Sequence, residues 1–149
     1  MDAFGGNVFH SARWTTASTC GRVTSRAYQT VALSGFPNFF MMLGPHSPVG
    51  NLALTTVAES QAGHIVGWIE RWRRREFGTV EPTAAAAERF NAKLRAAMPD
   101  TAWTTGCNSW YLNKDGVPEV WPLTPGEHRR MPAHPDPAQD DLRPSVAAG

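Results

Sequence analysis

The sequence predicts an α/β fold with one long helix, a second helix and an irregular C-terminal segment. Two apolar runs on either side of a Gly-Phe-Pro-Asn turn, within residues 28–43, indicate buried strands. Apolar residues then recur at helical spacing over residues 52–77 and again over 83–98. A chain of 149 residues is long enough to bury a core of its own, and its length fits one domain.

Composition narrows the class of protein. The formal net charge of +1 gives no electrostatic reason to expect a nucleic acid partner. No stretch approaches the roughly 20 apolar residues of a membrane span, and the start lacks the pattern of a secretory signal. Cys20 and Cys107 have neither a CxxC spacing nor a nearby His pair, so we expect two reduced thiols and no metal site. A cytoplasmic location follows as the expectation.

The first regular elements are expected between residues 28 and 43. Residues 28–33 are β-prone, and the unbroken apolar run of residues 39–43 is typical of a strand buried on both faces.

The long helix is expected over residues 52–77. Its apolar residues form one stripe, which predicts the buried face: Leu54, Ala58, Ala62, Ile65, Ile69 and Trp72. Gly78 stands where a left-handed residue often ends a helix. Gly63 and Gly67 lie one turn apart inside the helix, each costing about 1 kcal/mol relative to alanine. We expect another backbone to approach closely there and offset that cost.

The second helix, over residues 83–98, has Pro82 near its start and Pro99 as its stop. Its predicted buried face consists of Ala87, Phe90, Leu94 and Ala97. Short strands and turns are expected from residue 101 onward. Residues 131–149 contain almost no bulky apolar residue, which predicts a disordered tail.

The stretch "GPHSPVGN", residues 44–51, stands between a predicted strand and the start of the long helix. Free backbone N–H groups and the positive end of the helix dipole would favour an anionic or electron-rich ligand group there. The same residue types also make an ordinary strand-to-helix turn. Spacing gives no nucleophilic or metal site around His10, His46 or His64, so no catalytic residue is predicted.

The stretch "CNSWYLN" contains two large aromatic residues, Trp110 and Tyr111. Packing in a core is the default interpretation, and stacking on a flat heterocycle is the alternative.

Three stretches carry a resemblance to a known family. "FGGNVFHSARW" matches an F-x-G-x-x-x-H-x-x-x-W fingerprint at Phe4, Gly6, His10 and Trp14. "GFPNFFMMLGPHSPVGN" and "TTGCNSWYLNKDGVPEVWP" follow in the same order as in the family. The chain therefore resembles the Baeyer–Villiger monooxygenases and related flavin-containing monooxygenases over residues 4–14 and about 28–130.

The resemblance implies an enzyme that uses FAD and NADPH to insert one oxygen atom from O2 into a ketone or onto a heteroatom. A small-molecule ketone or sulfide would be its substrate. The resemblance also implies that residues 44–51 lie against the flavin ring, that Trp110 lies near the nicotinamide cofactor, and that His10 couples two domains. The cofactor-binding residues implied are Gly44, Pro45, His46, Ser47, Pro48, Val49, Gly50, Asn51 and Trp110.

The same resemblance divides the chain into three parts. Residues 1–27 correspond to the fingerprint linker and a junction, residues 28–130 to the C-terminal part of the FAD-binding region, and residues 131–149 to the tail. The fold expected for the middle part is a partial FAD-domain sheet with the two helices.

The sequence departs from the family in one respect. The family has two GxGxxG turns that bind the pyrophosphates of its two dinucleotides, and neither occurs in these 149 residues. A truncated and internally deleted fragment is the simplest hypothesis. Two functions remain open: a monooxygenase polypeptide that needs the missing segments, and a non-catalytic remnant or interaction module. We expect no turnover by the chain alone and an exposed apolar surface.

Overall fold

A computed structural model describes residues 27–104, 111–112, 118–130, 138 and 140–143. Its elements, in chain order, are α1 (Leu54–Arg73), β1 (Thr79–Pro82), α2 (Ala84–Ala97), two 3₁₀ turns (Met98–Asp100 and Ala102–Thr104), α3 (Pro125–Arg130) and β2 (Asp140–Arg143). The predicted α/β class and both predicted helices are confirmed. Among the described residues, no helix is long and apolar enough to cross a membrane.

The two strands form an antiparallel pair in which Val80 lies opposite Leu142. Leu142 packs against the cluster of Trp68, Phe77 and Val80, and the Arg143 guanidinium contacts the Glu81 carboxylate at 2.9 Å. Residues 140–143 therefore form a strand where a disordered tail was predicted. The prediction of disorder was wrong for these four residues. One apolar side chain and one ion pair hold them on β1, and a count of bulky residues in the sequence does not detect such contacts.

Residues 28–43 form two tight turns with isolated bridges. Tyr28 bridges Ala32, and Ala32 bridges Phe40. The prediction that residues 39–43 form a strand buried on both faces is wrong. Large apolar side chains within it are exposed: Phe39 by 46%, Met42 by 53% and Leu43 by 45%. No described strand covers this run, so its apolar side chains remain in solvent.

Helix α1 spans 20 residues and ends earlier than predicted. Arg75, at φ 59°, adopts the left-handed conformation that we had expected of Gly78. The Arg75 N–H donates to the Trp72 carbonyl at 2.9 Å, and the Glu76 N–H donates to the Arg71 carbonyl at 3.2 Å. This pair of bonds is the Schellman motif. The Glu76 carboxylate also accepts hydrogen bonds from the Arg71 and Arg74 side chains, and these bonds favour the end of the helix at Arg73.

The face of α1 that is buried differs from the predicted one. The buried residues of the helix are Val57, Gln61, His64 and Trp68. The predicted apolar stripe lies beside this face, and its Leu54, Ile69 and Trp72 are 52%, 44% and 52% exposed. The expected close approach at Gly63 is also absent, because a Cβ placed there would meet nothing within 4 Å. The other three residues of the stripe, Ala58, Ala62 and Ile65, are half-buried, so this side of α1 is only partly covered within the described chain.

Helix α2 begins and ends within a residue of its predicted bounds. Thr83 caps it, since its hydroxyl accepts from the Ala86 N–H at 3.1 Å. Leu94 of its buried face joins Val49, Val57 and Trp121 in a core cluster. That cluster ties α2 to α1, to the 44–51 loop and to the segment before α3.

Candidate cofactor-binding loop

The loop of residues 44–51 lies between the turns of residues 28–43 and helix α1, and the structure describes all of it. His46, Ser47 and Val49 are buried, whereas Gly50 and Asn51 are exposed. The loop therefore has an anchored inner side and an open outer side.

The inner side begins with a close backbone approach at Gly44. A Cβ at Gly44 would lie 2.5 Å from the carbonyl oxygen of Thr30, a distance that real Cβ contacts do not show. Thr30 is itself fully buried and has φ 65°, which is an outlier for a β-branched residue. Such strain persists only where the surroundings hold it, and it is common at functional sites.

Gln61 of α1 holds these two segments together. Its side chain is 2% exposed. The Gln61 Nε2 group donates to Thr30 Oγ1 at 2.8 Å and to Ser47 Oγ at 2.7 Å. Its Oε1 accepts from the Leu43 N–H at 2.8 Å. One buried amide thus fixes the strained turn, the start of the loop and the loop interior relative to α1.

His46 anchors the loop to the segment that precedes α3. It has φ 63°, and its Nδ1 lies 3.3 Å from the Val120 carbonyl oxygen, so this nitrogen carries the proton and donates. Burial lowers the pKa of the imidazole from 6.5; the bond to Val120 opposes this effect, and the positive charge of Arg95 adds to it. The backbone N–H of Trp121 also donates to the Pro48 carbonyl at 2.8 Å. The ring is held neutral and serves as a structural donor.

The outer side of the loop is flanked by aromatic rings. A Cβ at Gly50 would lie 3.0 Å from Trp103, so glycine lets this ring rest on the loop backbone. Trp103 meets Tyr111 edge to face, with ring centroids 5.6 Å apart. The arrangement places flat apolar surface beside the exposed end of the loop.

Helix α1 starts directly after the loop without a side-chain cap. Ala53 occupies the N-cap position, and the first turn has no acidic residue. The N–H groups of Thr56 and Val57 both donate to the Ala53 carbonyl. Leu54 and Thr55 are the first two residues of the helix, so their N–H groups have no acceptor within it. The loop and helix start can therefore donate hydrogen bonds to an electron-rich edge.

The predicted site is only partly visible. Gly44 through Asn51 form one continuous loop as predicted, and their role toward a cofactor stays a prediction. Trp110 and the fingerprint residues Phe4, Gly6, His10 and Trp14 lie outside the described residues. In the described part of the chain, no group of three His, Cys, Asp or Glu residues could hold a metal ion.

Sequence reasoning missed several residues that shape the loop, namely Thr30, Gln61, Trp103 and Val120. A signal existed for Gln61, because Val57, Gln61, His64 and Trp68 recur at helical spacing. A polar side chain within such a series indicates a buried hydrogen-bonding role. Val120 acts through its carbonyl oxygen, and Thr30 acts through its carbonyl oxygen and through a hydroxyl bonded to the distant Gln61; neither leaves a local pattern in the sequence.

No family model matches the chain. Curated relatives do match it in sequence. A monooxygenase of Mycobacterium tuberculosis, described as uncharacterized, is 69% identical over 117 residues, which are 78% of this chain and 24% of that protein. A Baeyer–Villiger monooxygenase of Streptomyces coelicolor is 35% identical over 118 residues, 76% of this chain and 23% of that protein. The chain thus spans about a quarter of the length of these relatives.

Solved structures of monooxygenases also match the fold of the chain. Cyclohexanone monooxygenase from Rhodococcus sp. Phi1, bound to NADP+, superposes with a TM-score of 0.67 at 27% identity, covering 82% of this chain and 24% of that one. An oxidized steroid monooxygenase bound to NADP shares the fold with a TM-score of 0.68.

Fold and sequence together define a chain of the flavin-dependent monooxygenase class. Within that class it is related to the Baeyer–Villiger monooxygenases.

Proposed function

We propose that this chain is a segment of an FAD- and NADPH-dependent monooxygenase of Baeyer–Villiger type, with the loop of residues 44–51 against the flavin ring. Its reaction would insert one oxygen atom from O2 into a ketone or onto a heteroatom such as sulfur. The observation that carries the proposal is the loop itself. Buried hydrogen bonds fix it directly before an uncapped helix, in a chain 35% identical to a Baeyer–Villiger monooxygenase over 118 residues.

The residues present fit one part of FAD. N–H groups that lack an acceptor within the helix, at the start of α1, suit the electron-rich edge of an isoalloxazine ring. Trp103 offers a flat surface beside the loop. FAD, when bound, would supply the redox chemistry, and the loop would hold the ring in place and keep water from its inner edge. No GxGxxG turn occurs in the sequence, so nothing in these 149 residues cradles the pyrophosphate. Ring contacts alone would hold FAD weakly.

The remaining site assignments belong to the same proposal. Trp110 would lie near the nicotinamide of NADPH, and His10 would couple the FAD and NADPH regions. Residues 28–130 would form the C-terminal part of the FAD-binding region, with residues 1–27 as the linker. Under this division, the reaction requires dinucleotide-binding segments that are not among these 149 residues, and these 149 residues alone do not turn over.

A second candidate is a non-catalytic remnant or interaction module. Exposed apolar side chains on α1 and in residues 39–43 favour it, since surfaces of that kind mark interaction sites. It differs from the first candidate in predicting that flavins leave the loop of residues 44–51 unaffected.

The purified chain tests the proposal of inactivity. After incubation with FAD and desalting, we expect a visible spectrum without bound flavin. We also expect no NADPH oxidation in air with a ketone or a sulfide present. Retained flavin together with substrate-dependent NADPH oxidation would show that this chain is a complete catalyst and would overturn the proposal.

A further inference from the structure

A cavity of about 390 Å³ lies between the first described turn, α2 and the segment that leads into α3. Its apolar wall consists of Tyr28, Phe90, Leu94, Trp121 and Leu123. Tyr28, Leu94 and Trp121 are buried, so this wall belongs to the packed part of the chain. None of the described residues of the 44–51 loop lines the cavity, which is therefore a site apart from the candidate cofactor-binding loop. A volume of this order suits a small molecule.

Three rings make the wall aromatic. Phe90 meets Tyr28 edge to face, with ring centroids 5.7 Å apart, and its centroid lies 6.4 Å from that of Trp121. The indole N–H of Trp121 donates to the Thr124 carbonyl at 3.0 Å, which fixes the orientation of this ring. The Gln29 Nε2 group donates to Tyr28 Oη at 3.1 Å. Rings of this kind attract a further ring by edge-to-face or offset contacts that an aliphatic chain does not make. The wall therefore favours a ligand with a flat aromatic body.

Three charged side chains also line the cavity, and two of them neutralise each other. The Glu127 carboxylate accepts from the Thr124 N–H at 3.1 Å and from its hydroxyl at 3.0 Å. The Lys93 ammonium lies 3.6 Å from the same carboxylate. Glu127 is thus held by two hydrogen bonds and one cation, and it leaves no net negative charge in the cavity.

Arg130, the third charged residue, keeps its charge unbalanced. Its Nε donates to the Gly126 carbonyl at 3.1 Å. Among the residues that the structure describes, no carboxylate forms an ion pair with its guanidinium. The terminal N–H groups of an arginine match the two oxygens of a carboxylate. The cavity therefore combines an aromatic wall with one cation suited to an anionic group.

We propose that this cavity is a binding site for a small aromatic carboxylate. The ring of the ligand would lie against Phe90 and Trp121, and its carboxylate would pair with the Arg130 guanidinium. The site does not depend on the proposed function, because it uses no residue of the 44–51 loop.

A titration followed by nuclear magnetic resonance tests the proposal. The full chain, isotope-labelled at nitrogen, is titrated with naphthylacetate, and the indole N–H signals of its six tryptophans are recorded. The Trp121→Phe variant assigns the signal of Trp121. We expect saturable binding at millimolar ligand, with the largest shift at Trp121. Naphthylethanol, which lacks the charge, and octanoate, which lacks the ring, should each bind about fivefold more weakly.

Two variants of α3 test the contact with the carboxylate. Arg130→Gln should weaken the binding of naphthylacetate about fivefold, which is the scale of an ion pair exposed to water. Arg129→Gln makes the same change of charge at the adjacent exposed residue, which does not line the cavity, and should leave the affinity unchanged. Both positions are exposed, so neither variant disturbs the core.

Several results would overturn the proposal. Absence of binding at millimolar ligand, or a largest shift at another tryptophan, would show that the cavity is not the site. Octanoate binding as tightly as naphthylacetate would refute the aromatic ligand, and equally tight binding of naphthylethanol would refute the carboxylate. Equal affinities of the Arg130→Gln and Arg129→Gln variants would refute the contact with Arg130.

Discussion

Thr30 and Gly44 show how single residues shape the loop of residues 44–51. A buried threonine at φ 65° presents its carbonyl to a glycine, and one buried glutamine fixes the arrangement. The sequence predicts the position of the loop, because Gly, Pro, Ser and Asn before a helical period are typical of a turn that leads into a helix. It could not locate Thr30 or Val120. Each contributes a carbonyl oxygen that every residue possesses, and the Thr30 hydroxyl meets its partner Gln61 only through a contact 31 residues away along the chain.

The contact at Gly44 leads to a paired prediction. Gly44→Ala would place a Cβ 2.5 Å from the Thr30 carbonyl oxygen, and we expect it to lower the free energy of unfolding by about 2 kcal/mol. Gly63→Ala, in open space on α1, should instead raise it by about 1 kcal/mol through helix propensity. Urea denaturation followed by circular dichroism measures both. Equal effects of the two variants would refute the close approach.

His128 carries a prediction about pH. It is fully buried, and neither ring nitrogen has a hydrogen-bond partner among the residues that the structure describes. Its ring meets that of Trp121 edge to face, with ring centroids 5.0 Å apart. Burial lowers its pKa from 6.5, and that of His46 is lowered too. Below pH 6.5 these two histidines bind protons more readily in the unfolded chain than in the folded chain. The free energy of unfolding therefore has its full value above that pH. It falls as the pH drops from there toward the folded-state pKa.

His128→Phe should remove part of this dependence. The variant retains an aromatic contact with Trp121 and discards a buried polar ring, so we expect a gain of about 1 kcal/mol and a shallower loss of stability below pH 6.5. Unfolding measured at several pH values between 5 and 8 checks it, with these values spanning the ordinary range of histidine titration. If the free energy of unfolding of the variant changed with pH as steeply as that of the original chain, the pH dependence could not be assigned to His128.

At the scale of elements, both helices follow from sequence periodicity, but the buried side of α1 does not. Periodicity reports where apolar residues lie, and the described chain buries the adjacent face that contains Gln61 and His64. The strand β2 was missed for a different reason, because its pairing with β1 depends on Leu142 and Arg143 reaching partners some sixty residues earlier. Long-range contacts of this kind leave no local pattern.

The end of α1 gives a prediction for an element. Arg75 occupies the left-handed position of a Schellman motif at φ 59°, where glycine has no steric penalty. Arg75→Gly should therefore stabilise the chain by about 1 kcal/mol. Arg74→Gly, at φ −76° and ψ 3°, is the matched control and should destabilise it. Thermal unfolding, followed by the helical circular dichroism signal, compares the two variants. A loss of stability in both would contradict the motif.

For the whole molecule, the exposed apolar side chains of residues 39–43 and of α1 predict how the isolated chain behaves in solution. Exposed Phe39, Met42 and Trp72 should bind a hydrophobic dye, and incomplete cover should broaden the thermal transition. Dye fluorescence and calorimetry measure these properties. A sharp, cooperative transition without dye binding would show that the surface is covered in the chain alone.

We propose that residues 44–51 face a flavin ring. Hydrogen exchange with mass spectrometry tests it most directly, using peptides that cover residues 44–55 in the presence of millimolar FMN or ADP. FMN carries the ring, whereas ADP carries the pyrophosphate for which this sequence has no GxGxxG turn. We predict slower exchange in these peptides with FMN and no change with ADP. No response to FMN, or an equal response to both ligands, would contradict the claim.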